Sequence, residues 1–300
     1  MKRRTALQLT AGFPFLATGA AKAATTLPSA SKFNLRFAPH DGMFKAHAGE
    51  DILDQIRWAA DHGFTAWEDN GMMDRTPELQ AKMGNLLAKY GMHMGVFVAN
   101  KINWTEPTLV LGAGEHRDAF LTRIRQSVEV AKRCNATWMT VVPGHLDLRR
   151  EMMYQFANVR ETLKQAAAIL EPHGLVIVLE PLNFRDHPGL FLTKASQAYA
   201  LCKAVDSPAC KILFDIYHQQ IQEGNLMPNI DAAWDEIAYY QIGDNPGRKE
   251  PTTGEINYEN VLRHIHAKGF TGVYGMEHGN SLEGKTGEEK VVAAYRSVDV

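Results

Sequence analysis

VIVLEPLN, residues 176–183, runs through four consecutive apolar residues to a carboxylate, Glu180, and then turns at Pro181. An apolar run without polar alternation reads as a strand buried on both faces, as in a parallel sheet covered by helices. Burying a carboxylate at the end of such a strand is costly unless it is paired or bound to a cation. Three later strands end in the same way, on Asp215, Gln241 and Glu277.

Strand, loop and helix alternate on both sides of that segment. Upstream, the pattern predicts strands at 33–40, 65–70, 92–100 and 136–144. Helices follow them: EDILDQIRWAADHG, then Thr76 to Tyr90-Gly91, one starting near Arg117, and 152–170. In the helix from Arg117, Phe120, Ile124, Val128 and Ala131 recur at helical spacing. Downstream come a helix over TKASQAYALCKAV capped by Thr193, a strand at 211–218, and a short helix over NIDAAWDEI. Strands at 238–245 and 272–279 flank a helix over NYENVLRHIHAKG, and EEKVVAAYRS closes the chain as a helix.

Eight strands alternating with eight helical segments is the count of one closed (β/α)8 barrel, the TIM-barrel architecture, over residues 33–300. A doubly wound open sheet competes with it, but no Gly-rich phosphate loop follows the first strand or any other. Only residues 101–116 form a long polar insertion, read as a lid or rim over the barrel mouth.

The first residues read as a processing signal. Lys2, Arg3 and Arg4 precede an uncharged, largely apolar stretch, and Ala21-Lys22-Ala23 supplies a small-x-small cleavage pattern. Residues 1–23 are therefore expected to be an export signal, twin-arginine-like through Arg3-Arg4, that delivers the protein to the periplasm. An uncleaved leader tethering the chain to the membrane is the alternative; the apolar run is too short to span a bilayer. Losing the four leader cations changes the formal charge from −2 to −6. That balance argues against nucleic acid as a partner, because phosphate binding needs clustered Lys and Arg. Cys134, Cys202 and Cys210 show no CxxC spacing and read as small core residues, with a Cys202–Cys210 bridge as the alternative.

In a TIM barrel the carboxyl ends of the strands form the active site. Glu180, Asp215, Gln241 and Glu277 stand one βα repeat apart, so they come from adjacent strands and can converge on one cation. All-oxygen ligation suits Mg²⁺ or Mn²⁺. His218 and Arg248 lie on loops leaving the ligand-bearing strands, and Asn183 and Asp186 lie just past Glu180; these four are candidates for holding substrate. Glu68 and His145 end other strands and are expected to line the same mouth.

The segments LEPLN, FDIYHQQ, QIGDNPGRKEPTTGEINY and MEH, in that order and spacing, resemble the hydroxypyruvate isomerase family, within the wider group of xylose-isomerase-like barrels. The resemblance implies a divalent metal on Glu180, Asp215, Gln241 and Glu277. It also implies that Glu180 and Glu277 form the acid/base pair, with His218 and Arg248 on substrate oxygens. Epimerase relatives usually carry His at the third ligand, where this chain has Gln241 as isomerase-type members do. His278 departs from the aromatic residue that related isomerases tend to have after the last ligand.

The expected reaction is a metal-assisted isomerisation of a hydroxy-oxo acid, hydroxypyruvate to tartronate semialdehyde or a close analogue. Ketose 3-epimerisation or another sugar or sugar-acid isomerisation outside the cytoplasm is the first alternative, and a non-catalytic sugar-binding protein the second. A homo-oligomer is compatible with all of these readings.

Overall fold

The computed structural model describes residues 31–300. The predicted leader at 1–23 lies outside the described residues. Eight strands alternate with the helices: β1 (Arg36–Ala38), β2 (Ala66–Trp67), β3 (His93–Met94), β4 (Trp138–Val141), β5 (Val176–Leu179), β6 (Cys210–Asp215), β7 (Ile237–Gln241) and β8 (Val273–Gly275). Six of them hydrogen-bond side by side in the order β1-β8-β7-β6-β5-β4, and β2 pairs with β3, all in parallel. Single parallel bridges, His40 to Glu68 and Val98 to Thr140, close the two gaps and complete the barrel.

The helices form the outer layer: α1 (Lys45–Ala48), α2 (Ile52–Asp61), α3 (Pro77–Tyr90), α4 (Glu115–Cys134), α5 (Met152–Leu170), α6 (Ala195–Val205), α7 (Ile216–Gln222), α8 (Leu226–Ala233), α9 (Tyr258–Ala267) and α10 (Gly284–Val298). Among the described residues, no helix is long and apolar enough to cross a membrane.

Local chemistry sets most helix ends. Thr76 accepts from Leu79 N and Pro77 opens α3, while Gly91 closes it in the left-handed conformation. The expected Thr193 cap is not formed. Instead α6 begins at Ala195, whose N–H donates to Glu223 Oε2 at 2.8 Å and Gln219 Oε1 at 3.2 Å. A tertiary partner thus serves an end that the sequence assigned to a local one. The third strand is also shorter than its 92–100 prediction. Gly95 lies against the Tyr239 hydroxyl, where a Cβ would collide.

Two apolar layers result. Ala38, Ala66, Val96, Val178, Leu213, Tyr239 and Val273 fill the barrel interior. Their sequence neighbours, such as Phe37, Trp67, Ile177, Phe214, Tyr240 and Tyr274, pack outward among the helices. Cys134, Cys202 and Cys210 are free and buried. The 101–116 insertion lies along the rim, its Leu109 and Val110 buried and Pro107 bridged to His145.

Candidate active site

Side chains alternate across a strand, so the residue two beyond an interior residue also faces inward. Ala66 leads to Glu68, Val178 to Glu180, Leu213 to Asp215 and Tyr239 to Gln241. In β8 the same step runs from Val273 through Gly275 to Glu277. The interior core therefore hands over at the carboxyl ends of five strands to a ring of polar side chains.

The structure brings Glu180, Asp215 and His218 closest, each offering a donor atom within 4.8 Å of the others. Arg248 joins Glu277 to that group: its Nη2 donates to Glu277 Oε2 at 2.7 Å and to Asp215 Oδ2 at 3.3 Å. Burial, then the charges of Glu277 and Asp215, push Glu180 well above the usual carboxylate range. Burial likewise raises Asp215, against the opposing pull of Arg248. Burial disfavours the charge on Arg248, yet Glu277, Asp215 and Glu180 hold it above its ordinary value.

Asp215 has two tasks. The segment after it is a helix, α7, where the sequence reading had a loop. Asp215 Oδ1 caps it, accepting from Tyr217 N at 2.8 Å and His218 N at 3.3 Å. Oδ2 is left to face Arg248 and the cluster. The cap also turns His218 back over the strand end, fully buried.

His218 is fixed in one neutral form. Its Nδ1 accepts from Asn183 Nδ2 at 2.7 Å and from Asn183 backbone N–H at 3.3 Å. A backbone N–H can only donate, so the ring proton sits on Nε2. Burial lowers the His218 pKa to about 3, which keeps the ring uncharged. Nε2 has no partner among the described residues and lies 3.6 Å from Asp215 Oδ2. It is an N–H aimed into the site, suited to a ligand oxygen and not to a cation.

Asn183 is buried and its amide is fully used. Nδ2 also donates to Asp186 Oδ2, and Oδ1 accepts from Arg185 and Asp186 N–H. It positions His218 and has nothing left for substrate. Asp186 also accepts from Tyr217 Oη at 2.8 Å. Although partial burial works the other way, these bonds hold Asp186 below its ordinary pKa.

Glu68 is more central than the strand-end reading implied. It is buried in the middle of the barrel, where Oε2 accepts from Tyr239 Oη at 2.8 Å and Oε1 from Gln241 Nε2 at 2.9 Å. Burial and then the Glu277 charge raise its pKa to about 8. By holding the amide nitrogen, Glu68 leaves Gln241 Oε1 free.

Residues absent from the sequence reading complete the mouth. Asn70 Nδ2 donates to Glu277 Oε1 at 2.8 Å, and the His187 ring lies 5.5 Å from that of His218. One expected neighbour, His145, turns elsewhere. His145 sits between rim segments, bridged to Pro107 and Leu190. His278 is buried against α10, stacked on Tyr295 and paired with its hydroxyl at 2.8 Å, so its departure from an aromatic alters packing there and not the cluster.

The expected donor set matches a divalent cation in its chemistry, while Glu277 stands outside the Glu180–Asp215–His218 cluster, held by Arg248 and Asn70. Gln241 Oε1 is buried without a partner, and no donor among the described residues serves the Glu180 carboxylate. With Asp215 Oδ2 and Glu277, these groups offer oxygen alone, the chemistry hard cations take.

Eight parallel strands closed into a barrel, with polar groups gathered at their carboxyl ends, are the architecture of TIM-barrel enzymes. The chain belongs to the xylose isomerase-like TIM barrel family, whose profile matches residues 56–297. It is 30% identical over 237 residues to a 2-oxo-tetronate isomerase of Cupriavidus necator, covering 79% of this chain and 89% of that one. It is 39% identical over 122 residues to the hydroxypyruvate isomerase of Escherichia coli, covering 41% of this chain and 47% of that one. The crystal structure of a family 2 AP endonuclease from Brucella melitensis superposes with a TM-score of 0.75 at 24% identity, over 84% of this chain and 96% of that one. That likeness shows the fold alone. The chain is an enzyme of the isomerase class.

Proposed function

We propose that the protein moves a carbonyl between adjacent carbons of a hydroxy-oxo acid, through an enediolate. Hydroxypyruvate and tartronate semialdehyde, or close analogues that carry the same reacting carbons and carboxylate on a longer chain, are the reacting pair. The observation that carries this reading is Glu180: a buried carboxylate that no described donor serves, beside Asp215, His218 and Arg248.

Such a reaction removes a proton alpha to the carbonyl and returns one to the neighbouring carbon. Glu180, with its raised pKa, takes the proton from one carbon; Glu277 across the cluster, once protonated from solvent, gives one to the neighbouring carbon, and Glu180 releases its own to solvent. His218 Nε2–H donates to a substrate oxygen as negative charge develops there. The Arg248 Nη1 has no acceptor among the described residues and is available to the substrate carboxylate, which favours an acid over a neutral sugar. A divalent cation, Mg²⁺ or Mn²⁺, held by Glu180, Asp215, Gln241 and Glu277 would supply Lewis-acid stabilisation of that charge. The names of the isomerases it resembles support the acid as substrate class.

The test is proton exchange in D₂O with a panel of hydroxy-oxo acids and ketoses. The expected result is deuterium at one carbon of a hydroxy-oxo acid with its carbonyl moved, and no exchange in Glu180→Gln. Exchange retained in that variant would sink the assignment. Inversion at C3 of a ketose without carbonyl movement would turn the reading to an epimerase. The leader sequence alone supports export; N-terminal sequencing of the mature protein from the periplasmic fraction tests it.

A further inference from the structure

The mouth of the barrel continues past the reacting groups. On the β2–β3 side, beside α4, lies an open cleft of about 560 Å³ whose lining includes Asn70, Asn100, Lys101, Trp104 and Arg123. Two contacts join it to the site. Asn70 donates to Glu277 Oε1, and the Trp104 ring stacks over His187 at 5.0 Å, beside His218.

The cleft is large for a three-carbon acid. Benzene fills a cavity of about 150 Å³, and hydroxypyruvate has hardly more atoms. Held at Arg248 between Glu180 and Glu277, none of which lines the cleft, it would leave the cleft to water. Direction points the same way. Arg248 follows β7, and in an eight-stranded barrel β3 stands opposite β7. A substrate with its carboxylate at Arg248 and its reacting carbons between Glu180 and Glu277 extends past Asn70 into the cleft.

The lining suits a hydroxylated chain. The Asn100 amide is committed to Val142 at both ends and forms wall. Lys101 is exposed and pairs with no carboxylate among the described residues. Arg123 Nη2 is held by Asp74 at 2.9 Å, while its Nε is buried without a partner among the described residues. Trp104 is 45% exposed at the cleft edge. Sugar C–H groups pack on an indole face, and hydroxyl oxygens accept from an ammonium or guanidinium.

Resting on the reaction proposed above, we propose that the substrate is an open-chain hydroxy-oxo acid of about five or six carbons. Its distal hydroxylated end is held in the β2–β3 cleft by Lys101 and Trp104.

The experiment is calorimetric titration of the full protein, with Mg²⁺, against glycerate, threonate and gluconate, which lack the carbonyl and do not turn over. Gluconate is expected to bind ~tenfold more tightly than glycerate, the worth of one good aromatic contact. Trp104→Ala should remove most of that advantage and Lys101→Ala ~threefold of it, with clearly smaller losses for glycerate and with melting curves showing that each variant is folded. A flat series, or equal losses for glycerate and gluconate in both variants, overturns the proposal. The two readings separate cleanly. Chain-length-dependent binding with no proton exchange on any oxo acid sinks the reaction and leaves the cleft as a binding site. Isomerisation of hydroxypyruvate with a flat series leaves the reaction and sinks the cleft.

Discussion

Gly275 in β8 offers a decisive test of how the barrel interior supports the site. A Cβ there would lie 2.9 Å from Glu68 Cδ, closer still to Glu68 Oε2, and 3.0 Å from Gln241 Cγ. By backbone entropy alone, Gly→Ala in a compatible strand position stabilises by about 0.4–1 kcal/mol. Here the methyl must push Glu68 away from Tyr239 Oη and Gln241 Nε2. Each buried group left unsatisfied costs about 1–3 kcal/mol, so Gly275→Ala should destabilise by about 2–5 kcal/mol. For a domain of this size that is a fall in Tm of roughly 5–20 °C. Circular dichroism melts and urea titrations would measure it. A double-mutant cycle locates the cause. In a Glu68→Ala background the obstructing carboxylate is gone, and the added methyl should cost less than about 1 kcal/mol, all of it from Gln241. The same methyl cost in both backgrounds, or a stabilised Gly275→Ala, would refute the claim that this glycine exists to admit Glu68. Because Glu68 holds the Gln241 amide, Gly275→Ala should also weaken Mg²⁺ or Mn²⁺ binding by ~10–100-fold, the usual range for an outer-layer partner.

Asn183→Leu should lower kcat by ~10–100-fold with a modest change in KM, because the 2.7 Å bond to His218 Nδ1 is lost; ¹⁵N spectra of His218 should report the Nε2–H form in the wild type and a mixture in the variant. A wild-type ring protonated on Nδ1 would contradict the assignment. Stripping the protein with a chelator should lower Tm, and Mg²⁺ or Mn²⁺ at ~100 times Kd should restore about 2.7 kcal/mol; unchanged melting on readdition would count against the cation site. Burial raises the Cys134 thiol to about 11, and the contact with Cys210, then burial, moves Cys202 in the same direction. Because all three cysteines are buried, a thiol reagent at pH 8 should label none of them in the native protein and all of them after unfolding.

The barrel and its ring of carboxylates were legible because both follow from the two-residue period of a strand. Once Val178, Leu213 and Tyr239 are read as interior, Glu180, Asp215 and Gln241 must face the same way. The same rule takes Ala66 to Glu68, but TAWEDN ends in two adjacent acids. Only the fold shows that Glu68 turns inward while Asp69 turns to Arg75. Asp215 was hard to read for a different reason. As a cap of α7 and a member of the cluster it does two jobs, and DIYH carries no other helix-start signal, so His218 looked like a loop residue. Its pairing with Asn183 links the ends of two strands a full repeat apart, and no local pattern encodes that contact. Trp104 over His187 joins two rim segments in which hydrophobic periodicity has lapsed, so sequence spacing does not constrain how they meet. The illegible parts are thus the contacts between elements at the mouth. Glu180, Asp215, Gln241 and Glu277 stand at or within two residues of strand ends, whereas Trp104 and Lys101 stand on the rim. Within the reading proposed here, variation among such barrels in what they bind should concentrate on the rim, while the reacting groups keep their places on the strands.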